Sequence, residues 1–226
     1  MASRNMRDSN FTALINDRNN AFKIIFSVRS NLSDDLQKIL KESIFRIVSY
    51  KYFWYSKESY KFCRLFISDL VIALTLLCKK DKRIFYVYLR SSIEAFYNCA
   101  NMIDEQNIEN DSSSYFKAKK KFKNLISTQK GFQFLESFET LNESYKQISN
   151  VIHRNVYTQD KLTVYMNEYF KTDDFEDSIE IAQAIELLDT LTEIYSSFFL
   201  TSPSFKNILE DSFYRRKTLL REIQKY

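Results

Sequence analysis

Phe134-Leu-Glu-Ser-Phe138-Glu-Thr-Leu141-Asn-Glu-Ser-Tyr145-Lys-Gln-Ile148-Ser-Asn-Val-Ile152-His153 sets its apolar side chains at alternating intervals of four and three. Those intervals gather side chains into one stripe of an α-helix. The spacing therefore predicts an amphipathic helix whose stripe faces other helices. His153, the single histidine of the chain, follows Ile152 and projects from the edge of the stripe at the helix end, with Ser149 one turn before it. An imidazole there can act as a general acid or base near neutral pH, or can pack as a hydrogen-bonded residue near a helix C-terminus. For Ser149 the plain alternative to a functional role is a hydrogen bond to the carbonyl four residues back.

The rest of the chain repeats the same grammar. One glycine and one proline among 226 residues leave little material for tight hairpins or phosphate-cradling loops. Helical stretches read as 11–28, 36–55, 58–79, 84–103, 115–130, 134–152, then one opened by the acidic run 173–177, and a last one over 204–225. Ser33 and Asp81 are candidate N-caps, and Gly131 is a candidate C-terminal cap. The stretch after Leu65 is apolar almost all round and reads as the central, buried helix. The predicted class is all-α, a bundle of about seven helices with essentially no strand, forming a single domain over 1–226 with a core at about 33–157 and a helical extension at 173–226.

Composition excludes many activities. A glycine-rich nucleotide loop and a serine nucleophile elbow both need more than one glycine. Zinc sites need His and Cys at ligand spacing, and helical carboxylate–metal sites want Glu-x-x-His pairs, which do not occur; no metal and no cofactor is expected. Cys63, Cys78 and Cys99 are odd in number, far apart and set in apolar helical stretches, and they read as reduced core residues of a cytosolic protein. The N-terminus has no apolar secretion signal, and the run Leu70–Cys78 is too short to span a bilayer. These features predict a cytoplasmic chain with no membrane contact.

Two constellations could carry function. Arg90, Glu94, Tyr97 and Asn101 share one side of their helix, beside a core seam of Ile93, Phe96, Ala100 and Ile103; Arg90 and Glu94 alone could be a surface pair worth about 0.2–0.5 kcal/mol. The stretch Tyr115–Lys130 carries six lysines and no acid. Lys117, Lys120 and Lys121 share one helical side, with Lys123 close by, so the helix is a candidate nucleic-acid surface acting through counterion release, if it is not simply solvated. A second, smaller cluster stands at Arg215-Arg-Lys217.

Taken together, Leu89-Arg90-Ser-Ser-Ile-Glu94 and Tyr145-Lys-Gln-Ile-Ser149-Asn-Val-Ile-His153 resemble the HEPN superfamily of bacterial defence and toxin proteins over roughly residues 60–157. The resemblance implies a helical bundle, often dimeric, with a polar helix-end motif and, in active members, a metal-independent ribonuclease. The family pattern places an arginine four to six residues before the histidine, and here Lys146 stands one step further back. What carries over is His153 as acid or base, with Arg90 and Arg154 as phosphate ligands. Three readings follow. The first is a catalytically silent helical module of an intracellular antiphage (abortive infection) system, binding nucleic acid, RNA before DNA, or a partner defence protein. The second is a ribonuclease toxin using His153. The third is an oligomerising interaction protein whose rhythmic stretch 181–198 meets a second copy.

Overall fold

Ser33 and Asp81 set the starts of two helices as their sequence positions predict. The Ser33 carbonyl accepts the Gln37 amide at 2.9 Å and its hydroxyl accepts the Leu36 amide at 3.4 Å. Asp81 accepts the Ile84 amide on its carboxylate and the Phe85 amide on its carbonyl, both at 3.1 Å. Each satisfies donors that the first turn of a helix leaves unpaired.

The computed structural model describes residues 2–28, 31–54, 61–79, 81–105, 114–129, 132–152, 175 and 178–201. Among these there are seven helices and no strand: α1 (Ala2–Val28), α2 (Asp34–Trp54), α3 (Lys61–Lys79), α4 (Lys82–Glu105), α5 (Tyr115–Gln129), α6 (Phe132–Ile152) and α7 (Ser178–Thr201). Most helix ends lie within three residues of the sequence expectation. α1 starts earlier, at Ala2 instead of Phe11, because apolar periodicity marks where packing begins and not where the backbone starts to turn. Phe175 is not helical but is buried, with its ring 5.6 Å from that of Phe85, and α7 has Glu180 as its first-turn acid. The rest of 173–177, Gly131, Arg215–Lys217 and the expected helix over 204–225 lie outside the described residues.

α2, α3, α4, α6 and α7 form a ring in which each helix packs on the next and α7 returns to α2, with α1 lying on α2 and α5 lying across α4 and α6. The middle of the ring is aromatic. Phe96 of α4 meets Tyr195 of α7 at 4.4 Å between ring centroids, and Phe66 of α3 meets Tyr195 edge-on at 4.8 Å. Such tilted and edge-on pairs contribute about 0.5–1.5 kcal/mol each beyond the area they bury. The central helix is α4 and not α3 as the apolar run suggests. Both helices expose apolar residues, Leu65 and Val71 on α3 and Ile84 and Val87 on α4, but α4 packs against three helices, α3, α5 and α6, and no residue from Ser92 to Met102 is exposed. Hydropathy misleads here because α4 buries polar residues, Ser92 and Asn101, whose donors bond inside: Ser92 Oγ donates to the Leu89 carbonyl at 2.7 Å and Asn101 Nδ2 to the Ala118 carbonyl at 2.9 Å.

The 181–198 rhythm is spent within this ring. Ala184, Leu188, Leu191, Tyr195 and Phe198 are all buried in the chain's own core. A polar seam beside them fixes α7 on α2. Arg46 of α2, 3% exposed, donates to Asp189 at 2.6 Å, and Ser43 donates to the same carboxylate oxygen at 2.9 Å. Tyr50 donates to the Thr192 carbonyl at 2.9 Å and also bonds the Ser196 hydroxyl. Burial raises the Tyr50 phenol above its ordinary range, as expected where ionisation would place an anion in an apolar core.

The cysteines correct the sequence reading. Cys63 of α3 and Cys99 of α4, both fully buried, are joined as a disulfide with Cα atoms 5.1 Å apart, while half-buried Cys78 takes no part in it. Their separation of 36 residues hides a pairing that the antiparallel α3–α4 hairpin creates. Three reduced cysteines therefore no longer argue for a reducing compartment. Among the described residues, no helix is long and apolar enough to cross a membrane.

Candidate nucleic-acid interface

α5 is held to the bundle by one apolar seam. Ala118, Phe122 and Ile126, one turn apart, are buried, with Phe122 5.5 Å from Phe96 and 5.2 Å from Tyr97 between ring centroids. With that face fixed, Lys117, Lys120, Lys121 and Lys123 are left exposed. Lys119 turns the other way, half-buried, with its ammonium 5.7 Å from the Tyr115 ring centroid and 5.8 Å from that of Phe138. Desolvation lowers the Lys119 pKa against the pull of Glu139, and Lys146 and Lys123 lower it further.

The charge on α5 works against the helix that carries it. Its first turn contains a lysine and no acid, and its last turn contains no base, the reverse of what the helix dipole favours. Lys117 and Lys121, and Lys119 and Lys123, stand four residues apart, a spacing at which like charges destabilise a helix by roughly 0.2–0.5 kcal/mol per pair. Phe116, at the head of this charged surface, is 79% exposed.

Beside it lies a compact polar cluster. Tyr145 of α6 donates to the Glu94 carboxylate at 2.8 Å, and Arg90 Nε donates to the Tyr145 oxygen at 3.0 Å and to the same Glu94 oxygen at 3.2 Å. Tyr115, the first residue of α5, stacks on Tyr145 with centroids 4.1 Å apart and planes 8° from parallel. The Arg90 guanidinium sits 5.0 Å from the Tyr145 ring centroid. Burial, followed by the bond to Glu94, pushes the Tyr145 phenol up to about 12, and Tyr115 is raised by burial and by its neighbours Tyr145 and Glu94. For Arg90, burial would lower the pKa, but Tyr145 and Glu94 outweigh it and hold the cation. One turn away, Ser91 donates to Asp69 at 2.7 Å, and burial raises the Asp69 carboxyl with Glu94 adding to the effect.

The sequence-predicted residues are thus partly brought together. Arg90 and Glu94 pair, and Tyr145 joins them as a third member that helix spacing alone does not show. Tyr97 and Asn101 do not belong to a polar face: both are buried, and Tyr97 donates to Asn142 at 3.4 Å beneath α5 and α6. The four lysines share the outer surface of α5. Ser149 does not bond the carbonyl four residues back; its Oγ is buried and has no hydrogen-bond partner among the described residues. His153 and Arg154 lie outside the described residues. Phe116 and Tyr115 were the overlooked members, signalled by an aromatic pair standing immediately before a lysine run. Comparison with protein-family models, curated proteins and solved structures finds no match to the chain.

Proposed function

We propose that this chain is a helical module that binds single-stranded nucleic acid, RNA in the first instance, along α5, and that it acts as an accessory or effector in an antiphage defence system without catalysis of its own. The observation that carries the binding is the combination on α5 of four exposed lysines with an exposed Phe116. Lysines that oppose their own helix dipole and repel each other gain most from a polyanion. An exposed aromatic ring supplies a face on which a base can stack, worth about 1–3 kcal/mol per base and tolerant of sequence. The defence setting rests on the HEPN resemblance of the Arg90 and His153 stretches.

A second reading, a metal-independent ribonuclease with His153 as acid or base and Arg90 and Arg154 as phosphate ligands, is favoured by one observation: Arg90 meets α6 at Tyr145, on the helix that leads directly to His153. One experiment separates the two. Wild type and His153→Ala are incubated with total RNA in chelator, and both cleavage and retention on the protein are read. Retention without cleavage supports the binding module, and chelator-resistant cleavage lost in His153→Ala supports the ribonuclease. Absence of both sinks the RNA assignment.

A further inference from the structure

Seating α5 on α4 strands a polar atom between the two helices. Asn101 of α4, 6% exposed, donates through Nδ2 to the Ala118 carbonyl of α5 at 2.9 Å. Its Oδ1, on the same amide, is buried and has no hydrogen-bond partner among the described residues. A buried acceptor without a donor has lost the bond it makes to water, and lifting α5 from α4 restores that water. Lys119 is a second group that docking burdens. Half-buried beside the Tyr115 and Phe138 rings, it gives up hydration, and burial lowers its pKa.

Repulsion within the helix adds to these two. Lys117 and Lys121, and Lys119 and Lys123, stand four residues apart, and Lys120 stands three from both Lys117 and Lys123. Side chains at these spacings are neighbours on a helix, and each like-charge pair shifts the equilibrium roughly 1.4- to 2.3-fold toward the unwound state. Four such pairs multiply to about tenfold. Against them stand the apolar seam of Ala118, Phe122 and Ile126 and the ring of Tyr115 lying on that of Tyr145. Of all these contributions, the lysine repulsion is the one that an anion bound from solvent removes.

We propose that α5 is a flap that anions close: in the free protein it lifts from α4 and unwinds as a unit, and phosphates bridging its lysines seat it and return Tyr115 to Tyr145. Such a unit opens locally at a free energy below that of the core. A ligand shifts the balance by its differential affinity for the two states, and only the seated helix holds the lysines in one array. The flap rests on the reading of α5 as a polyanion surface and adds regulation to it. An occupied α5 keeps Tyr145 covered, together with its bonds to Glu94 and Arg90, whereas an empty one opens them to water.

The test is hydrogen–deuterium exchange of the full chain, read on peptides of α5 and α4, with and without sodium tripolyphosphate at constant ionic strength. In the free protein, α5 amides should exchange about tenfold faster than residues 85–100 of α4, or more, and tripolyphosphate should slow them about fivefold. Gln at Lys117, Lys120 and Lys121 removes three of the four pairs. That variant should show α5 exchange about fivefold slower without any anion, and a response to tripolyphosphate below about twofold. Gln at Lys38, Lys61 and Lys79 should leave the wild-type response in place. Free α5 exchanging as slowly as α4 overturns the flap, as does an α5 variant that exchanges as fast as the wild type. Binding of labelled oligouridylate without slower α5 exchange overturns the flap and leaves the RNA reading standing. Slowing by tripolyphosphate in a protein that retains no oligouridylate upholds the flap and overturns the RNA reading.

Discussion

If RNA lies along α5, the salt dependence of binding should report how many lysines it meets. Lys117, Lys120, Lys121 and Lys123 are exposed on that helix, and each neutralised phosphate of a single strand contributes about −0.7 to the slope of log affinity against log salt. Four contacts give a slope of about −2.8, so that affinity falls about 50-fold between ~50 and ~200 mM salt. Replacing Lys117, Lys120 and Lys121 with Gln leaves one contact, a slope of about −0.7 and a fall of about threefold over the same range. Gln and Lys have similar helix propensity, so the helix itself should survive, and circular dichroism checks that. Fluorescence anisotropy with a labelled oligouridylate, repeated at five salt concentrations, measures the slope. As a control, Gln at Lys38, Lys61 and Lys79, exposed lysines on α2 and α3, should leave the slope unchanged. A triple α5 variant whose slope stays within ~0.5 of the wild type, against the expected change of about 2.1, would refute the assignment of the phosphate path to α5.

Three further outcomes follow from the interior. Asp189→Ala removes the nearest carboxylate from the buried Arg46, with Glu42 at 3.7 Å and the Thr192 hydroxyl at 3.4 Å among the partners that stay, and should cost about 3 kcal/mol, whereas replacing the pair by apolar residues of similar size should be close to neutral; urea unfolding that shows a single-variant loss under about 1 kcal/mol would contradict the seam. The raised Tyr145 phenol, at about 12 against an ordinary 10.0, together with the raised Tyr50, Tyr97, Tyr115 and Tyr195, means that the native state holds protons which the unfolded chain releases first. That contribution is fully present below pH 10.0 and is lost as pH rises through and beyond it, so the melting temperature should fall steeply in that window; tyrosine absorbance titrating wholly at the ordinary value in the folded protein would refute it. Reducing the Cys63–Cys99 bond, which spans 36 residues, should lower stability by about 4 kcal/mol on a chain-entropy account, and thiol titration of the oxidised, denatured protein should find Cys78 alone.

Helix class and helix positions were legible because they depend on properties that run along the chain. The four-three rhythm of Phe138, Leu141, Tyr145 and Ile148 and the caps at Ser33 and Asp81 are local. What was illegible depends on how helices meet. Arg46 stands inside an apolar run and looks out of place until Asp189, 143 residues later, is brought opposite it. Cys63 and Cys99 look like separate core residues until α3 and α4 fold into a hairpin. Tyr145 reads as one more apolar stripe member, yet its hydroxyl reaches the edge of the stripe, where α4 supplies Glu94 and Arg90. Phe116 could have been noticed, since an aromatic ring on the charged side of a short helix has no core to enter.

Lys119 shows how the same lysine run divides once the helix is docked. By residue type it belongs with Lys117, Lys120, Lys121 and Lys123, and helical spacing alone sets it apart from the side that Lys117, Lys120 and Lys121 share. In the fold Lys119 is half-buried with its ammonium near the rings of both Tyr115 and Phe138, whereas Lys123 is exposed and reaches the Phe138 ring alone, at 5.9 Å; desolvation lowers the Lys119 pKa, so part of its charge is already engaged with aromatic faces inside the protein. A cation held there displaces fewer counterions from a bound phosphate than one standing free in solvent. Lys119→Met should accordingly change the salt slope by less than about 0.3, while Lys120→Met, at an exposed position, should reduce it by about 0.7. Methionine keeps the hydrocarbon that packs near Phe138, so the comparison isolates the charge. Equal slopes in the two variants would mean that RNA draws Lys119 off the rings and that α5 binds with its inner edge as well as its outer face.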